Sequence, residues 1–125
     1  MQSTVPVLKK MSPQLLVAHI ERAIEFYTKQ LDFSLDFLYE DFYAGIVRDG
    51  HSIHLKCVDC PVNNGKNTDD LDIIFSVDSK SIEHLYEDFL SKSIQIVQPL
   101  RVAPYGREFY IADPDGNIIA FIEEG

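Results

Sequence analysis

The chain has 125 residues, 46% of them hydrophobic and 25% charged, which are proportions typical of one globular domain. Its 11 Lys and Arg against 20 Asp and Glu give a formal net charge of -9. This charge disfavours nucleic acid and anionic membranes as partners, because like charges repel. No apolar run is long enough for a membrane helix, and residues 1–11 lack the apolar core of a secretion signal. We therefore expect a cytoplasmic protein without a membrane span.

The first half of the chain predicts a strand, a helix and three further strands. Leu15–Val17 is a short apolar strand, and a helix is expected over about residues 20–30, where apolar side chains recur every three or four positions. Three strands follow at about 33–39, 43–47 and 52–57, the last two separated by the turn residues Asp49 and Gly50. The predicted helix face consists of Ile20, Ala23, Ile24, Tyr27 and Leu31.

The second half repeats this order. Strands are expected at 72–77, 94–97, 108–112 and 118–122, and the helix face after the first of them consists of Ile82, Leu85, Tyr86, Phe89 and Leu90. The prediction is an α+β fold of two tandem βαβββ modules, about 12–58 and 70–125, that form a curved mixed sheet with the helices outside. An N-terminal arm, residues 1–13, precedes the first module within one domain of residues 1–125.

Cys57 and Cys60 form the only C-x-x-C pair in the chain. A structural zinc site usually needs two such pairs, and a redox motif needs its first thiol at a helix N-terminus. The residues around this pair instead predict a strand that runs into a loop, so we interpret the cysteines as loop residues in a reducing compartment.

Two motifs add a family resemblance to this pattern. The first helix reads Ala23-Ile-Glu-Phe-Tyr27, and the last two strands carry Gly106-Arg-Glu-Phe-Tyr-Ile-Ala-Asp-Pro-Asp-Gly-Asn117. Together with the paired modules, they resemble the glyoxalase/bleomycin resistance/dioxygenase superfamily, also called vicinal oxygen chelate proteins, over nearly the whole chain. The chain is most similar to the bleomycin resistance proteins of that superfamily.

The resemblance implies where a divalent metal would be held in the enzymes of this superfamily. The four ligand positions correspond to Ser12, His54, Asp72 and Ala120 in this sequence. Alanine has no donor atom and a serine hydroxyl is a poor ligand, whereas a catalytic site needs about three protein ligands. His54 and Asp72 alone are too few ligands for a catalytic metal site, and His51 is the only obvious extra donor nearby. We therefore expect no cofactor. The alternative is a bound divalent metal ion.

A ligand-binding site is predicted from aromatic residues. Tyr105 interrupts the strand pattern on an exposed bend, where packing alone explains an aromatic ring poorly. In bleomycin resistance proteins a Trp-Gly pair, matched here by Tyr105 and Gly106, is part of the antibiotic site. The resemblance also places Phe37 and Tyr43 at aromatic positions of the binding groove, with His54 and Lys56 beside them.

These observations leave three hypotheses open. The first is a non-catalytic protein that sequesters a bleomycin-like antibiotic, or a similar planar cationic small molecule, in a groove at a dimer interface and so gives resistance. The second is a metal-dependent enzyme of the same superfamily, such as a lyase or a dioxygenase. The third is a sensor or partner-binding module.

The resemblance further implies a homodimer formed by exchange of the N-terminal arm near Pro13. The acidic field expected to attract a cation consists of Asp36, Glu40, Asp41, Asp69, Asp70 and Asp72.

Overall fold

The computed structural model describes residues 5–58 and 70–124, and within these ranges the elements follow the predicted order. The strands are β1 (Gln14–Val17), β2 (Ser34–Tyr39), β3 (Tyr43–Arg48), β4 (His51–Cys57), β5 (Ile73–Asp78), β6 (Ile96–Ala103), β7 (Gly106–Ala112) and β8 (Ile118–Glu124), and the helices are α1 (Ile20–Glu25) and α2 (Ile82–Ser91). Among the described residues, neither helix has the length and apolar character needed to cross a membrane. Cys60 and Asp69 lie outside the described ranges, so the interpretation of the C-x-x-C pair stays a prediction.

Each module forms a four-stranded mixed sheet, and the two sheets have the same topology. The strand orders are β1-β4-β3-β2 and β5-β8-β7-β6. The first and last strands of each module are parallel, whereas the other neighbours are antiparallel. A parallel pair needs a long crossover, which the helix and the two intervening strands supply. The predicted α+β fold of two βαβββ modules is confirmed.

Both helices bury the face that their apolar spacing predicts, with two differences. After Glu25 the first helix continues as a π-helical turn, Phe26–Gln30, in which the Leu31 amide donates to the Phe26 carbonyl at 3.3 Å. In α2 the buried face follows Ile82 and Phe89. The expected burial of Leu90 is wrong, since this residue is 49% exposed: one residue beyond Phe89, it is turned roughly 100° around the helix.

Strand β6 is longer than the sequence predicts. It runs from Ile96 through Pro99 to Ala103, whereas the expectation was a short strand at 94–97. The prolyl nitrogen cannot donate to a ladder, but β6 is an edge strand and its register shifts between Gln98 and Arg101. Proline is tolerated at such a position, so the predicted end of this strand at residue 97 was wrong.

The two modules share one hydrophobic core, and a turn of the second module fixes the first helix to it. Tyr27 is fully buried and donates from its hydroxyl to Asp113 Oδ2 at 2.8 Å. In the same turn, Asp115 Oδ1 accepts from the Ala18 amide at 3.0 Å and from Arg22 at 2.8 Å. The two motifs that suggested the family are therefore in contact, and this contact holds the modules together.

Candidate ligand-binding site

Three of the predicted ligand residues form a cluster on the first sheet, which we call the aromatic face: Phe37, Tyr43 and His54. Strand side chains alternate between faces, and the neighbours of His54 on β4, Ile53 and Leu55, belong to the buried core. The His54 ring therefore lies on the opposite side of the sheet. Its centroid is 5.3 Å from that of Phe37 and 5.4 Å from that of Tyr43, and the two aromatic rings are stacked at 6.1 Å.

A glycine creates the space in which the Phe37 ring lies. Gly45 pairs with Phe37 across β2 and β3. A methyl group added at Gly45 would come within 2.7 Å of Phe37 Cδ1, so any larger residue would push the ring away from the sheet. Sequence patterns do not show this role, because they do not specify which ring lies over which glycine.

Polar contacts fix the other two rings. The Tyr43 hydroxyl donates to Gln14 Oε1 at 3.2 Å, and its oxygen lies 2.9 Å from His54 Nδ1. Gln14 and His54 are direct partners in the parallel β1–β4 pair, which explains why one hydroxyl reaches both. These contacts fix the orientation of the Tyr43 and His54 rings, while Phe37 remains 36% exposed. The aromatic face is thus an ordered surface that is open to a flat ligand.

Lys56 lies at the border of this surface. It follows His54 by two residues on β4, so both side chains lie on the same face, and it pairs with Tyr43 on β3 and is exposed. Its role beside a ligand groove stays a prediction. The Lys56 ammonium group would repel a cationic ligand on the aromatic face. The electrostatic attraction of such a ligand therefore has to come from the acidic charge of the rest of the protein.

Tyr105 and Gly106 lie on the second sheet, at the turn between β6 and β7. The Tyr105 ring is 60% exposed, as predicted. Gly106 has a φ of +141°, and a Cβ at this position would lie 3.2 Å from the Glu123 carbonyl oxygen, so the turn requires glycine. No contact within residues 5–58 and 70–124 joins these two residues to the aromatic face. The six predicted ligand residues therefore form one group of four and one group of two.

Glu108 is the residue of this region that the sequence did not identify. Its side chain is completely buried on β7, yet it accepts hydrogen bonds from Tyr105 at 2.6 Å, Tyr110 at 3.0 Å and Arg101 Nε at 2.8 Å. Burial opposes its ionisation, but these three donors outweigh burial and lower the pKa of the Glu108 carboxyl. The hydrogen bond to Glu108 raises the pKa of Tyr105 to about 12. Tyr105 is therefore a neutral donor whose ring is held in place by a carboxylate.

The positions that correspond to metal ligands do not fit a metal ion. Ala120 is fully buried in a small apolar cluster with Tyr110 and Ile118 and offers no donor atom. Asp72 Oδ2 accepts from the Ile118 amide at 2.9 Å. The described ranges contain no group of three His, Cys, Asp or Glu side chains that is arranged to hold a metal. No chemical step through a metal follows from these residues.

Comparison with known proteins identifies the family. The model of the Glyoxalase/Bleomycin resistance protein/Dioxygenase superfamily matches residues 10–121. The chain belongs to this superfamily. A search of curated protein sequences found no significant match. The similarity of this chain to individual known proteins is therefore seen in their structures.

Three solved structures have the same fold as this chain. A glyoxalase/bleomycin resistance protein/dioxygenase from Alicyclobacillus acidocaldarius matches with a TM-score of 0.80 at 16% identity, over 92% of this chain and 90% of that chain. The bleomycin-binding protein from Streptomyces verticillus, solved with copper(II)-bleomycin, matches with a TM-score of 0.70 at 19% identity, over 97% and 100%. The fosfomycin resistance protein FosX from Listeria monocytogenes matches with a TM-score of 0.72 at 16% identity, over 98% and 96%. Proteins with this fold thus include a bleomycin-binding protein and a fosfomycin resistance protein.

Proposed function

We propose that this protein binds a bleomycin-like antibiotic, or a similar planar cationic small molecule, and sequesters it without chemical conversion. The observation that carries this proposal is the aromatic face, with its three fixed rings and the space provided by Gly45. Stacked rings favour flat aromatic ligands, and an acidic protein raises the local concentration of cations. Reversible binding lowers the free concentration of the drug, which is sufficient for resistance.

The proposal predicts measurable binding of the antibiotic. Calorimetric titration of copper-free and copper(II)-loaded bleomycin into the protein should give a Kd of about 1 μM or tighter, roughly -8 kcal/mol. A variant with Tyr105→Ala should bind more weakly, because it loses one ring from the second group of ligand residues. If neither form of bleomycin produced heat on titration, bleomycin would be withdrawn as the ligand.

Gly45→Ala tests the aromatic face without removing any of its rings. The added methyl group overlaps the Phe37 ring, and we expect this ring to swing towards solvent, where it no longer stacks with Tyr43. Bleomycin affinity should fall about tenfold, or about 1.4 kcal/mol, while the free energy of unfolding changes little because Phe37 is on an edge strand. Gly50→Ala is the comparison variant: nothing lies within 4 Å of its added carbon, but its φ is +80°, so it should lower the free energy of unfolding and leave affinity unchanged.

A dimer would bring the two groups of ligand residues together. We propose that the Tyr105 turn of one subunit faces the aromatic face of its partner, and that the N-terminal arm crosses between subunits. In the single chain, residues 5–13 of the arm belong to no helix or strand, and large apolar side chains among them are exposed: Val7 77%, Leu8 96% and Met11 89%. Exposed apolar side chains in such a row are typical of a segment that packs against another chain.

Light scattering during size-exclusion chromatography tests this arrangement. We expect a dimer at micromolar concentration, and a monomer when Leu8 and Met11 are both replaced by aspartate. Leu90→Asp provides the control, because Leu90 is 49% exposed and lies on α2, which belongs neither to the arm nor to the Tyr105 turn. A wild-type monomer would contradict the proposed groove between subunits.

A further inference from the structure

A cleft between the two modules contains a cavity that the proposed function does not use. Its volume is about 670 Å³, within the range of small-molecule sites. The walls come from the α1–β2 connection, the β3–β4 turn, β5 and α2. None of the six predicted ligand residues lines this cavity.

The floor of the cavity is aromatic. Phe75 stacks on Phe121 with 5.6 Å between ring centroids, and Phe33 is tilted against Phe75 at 6.4 Å. All three rings line the cavity. A floor of this kind favours a ligand with a flat apolar body, because ring contacts add to the free energy gained by removing apolar surface from water.

The rim is acidic. Four carboxylates and one guanidinium line the cavity: Asp32, Asp49, Asp78, Asp88 and Arg48. Arg48 approaches Asp49 at 3.5 Å, and Lys92, from outside the lining, approaches Asp32 at 3.6 Å and Asp88 at 2.9 Å. With both cations counted, the rim still has two more negative than positive charges, which favours a cationic ligand.

We propose that this cleft is a second binding site, separate from the aromatic face, for an organic cation with a flat aromatic body. The rings of the ligand pack on the Phe75 floor, and its positive charge lies near Asp49 and Asp78. The site does not depend on the aromatic face being the antibiotic site, since the two share no residue.

Methyl viologen, a flat aromatic dication that quenches tryptophan on contact, tests the location. The chain contains no tryptophan, so His84→Trp at the cavity rim and Tyr43→Trp on the aromatic face each introduce a single reporter. We expect methyl viologen to quench His84→Trp at lower concentration than Tyr43→Trp. By calorimetry, the wild type should bind methyl viologen at least about tenfold more tightly than 4,4'-bipyridine, the neutral compound with the same rings. Quenching of Tyr43→Trp alone, or no binding of methyl viologen, would overturn the cleft site.

Two charge variants test the acidic rim. The double variant Asp49→Asn with Asp78→Asn should weaken methyl viologen binding about tenfold. Its matched control, Glu21→Gln with Glu87→Gln, removes the same charge from residues outside the cavity and should weaken binding less than about twofold. If both double variants weakened methyl viologen binding equally, the effect would come from the net charge of the protein and not from the rim. This result would overturn the proposed site. The proposed function is tested separately by bleomycin and Gly45→Ala, because Gly45 does not line the cavity.

Discussion

Replacement of Asp113 by alanine is expected to lower the free energy of unfolding by about 3–5 kcal/mol. The Asp113 carboxylate is 3% exposed and accepts four hydrogen bonds, from the Tyr27 hydroxyl, the Asp115 amide and both the main-chain and side-chain nitrogens of Asn117. Alanine leaves these buried donors without an acceptor, and an unsatisfied buried donor costs more than a hydrogen bond contributes. Urea denaturation at pH 7 measures the difference.

Two variants separate the parts of this effect. Tyr27→Phe removes only the hydrogen bond from Tyr27 to Asp113 and should cost about 1–2 kcal/mol. Asp41→Ala, a change of the same type at an exposed position, should cost less than about 0.5 kcal/mol. A loss below about 1 kcal/mol for Asp113→Ala would mean that the turn does not anchor the first helix.

Replacement of Glu108 by alanine should have the second largest effect, about 2–4 kcal/mol. The buried Tyr110 hydroxyl loses its acceptor, and Tyr105 loses the contact that holds its ring on the turn. Glu108→Gln keeps the shape of the side chain and removes its charge, so it should cost less. If the Tyr105 ring contributes to the ligand site, both variants should also weaken bleomycin binding.

The pH dependence distinguishes the charge of Glu108 from its shape. Its pKa is lowered in the folded protein from an ordinary value of 4.5, so folding favours the ionised form. This contribution is fully present above the unfolded pKa and is lost as the pH falls through the lower folded value. The difference in unfolding free energy between wild type and Glu108→Gln should therefore be largest near pH 7 and shrink below about pH 4.5. A difference that stayed constant down to about pH 3 would contradict an ionised Glu108.

The sequence predicts the architecture better than the site because periodicity reports burial along one element, whereas a site depends on contacts between elements. The spacing of Ile20, Ala23 and Tyr27 was sufficient to place the buried face of the first helix and of the π-helical turn that continues it. The same spacing does not show that the Tyr27 hydroxyl meets Asp113, which lies 86 residues further along the chain.

Glu108 illustrates the remaining difficulty. Alternation along β7 separates its residues into two faces, but it does not reveal that a carboxylate on one face is surrounded by two tyrosines and an arginine. Tyr105 was predicted from its exposed bend, and the structure confirms the exposure. Its hydroxyl partner, Glu108, lies on β7, and spacing along one strand does not show which side chain reaches it from the preceding turn.

The bonds between the last turn and the first helix also bear on how the chain folds. Ala18, Arg22 and Tyr27 leave the ribosome before their partners Asp113 and Asp115, which lie 86 to 97 residues further along the chain. Contacts of such long sequence separation slow folding because a large loop must close before they form. The first module of a nascent chain therefore lacks these bonds until the last turn of the second module has been made, and the two modules mature together rather than in succession.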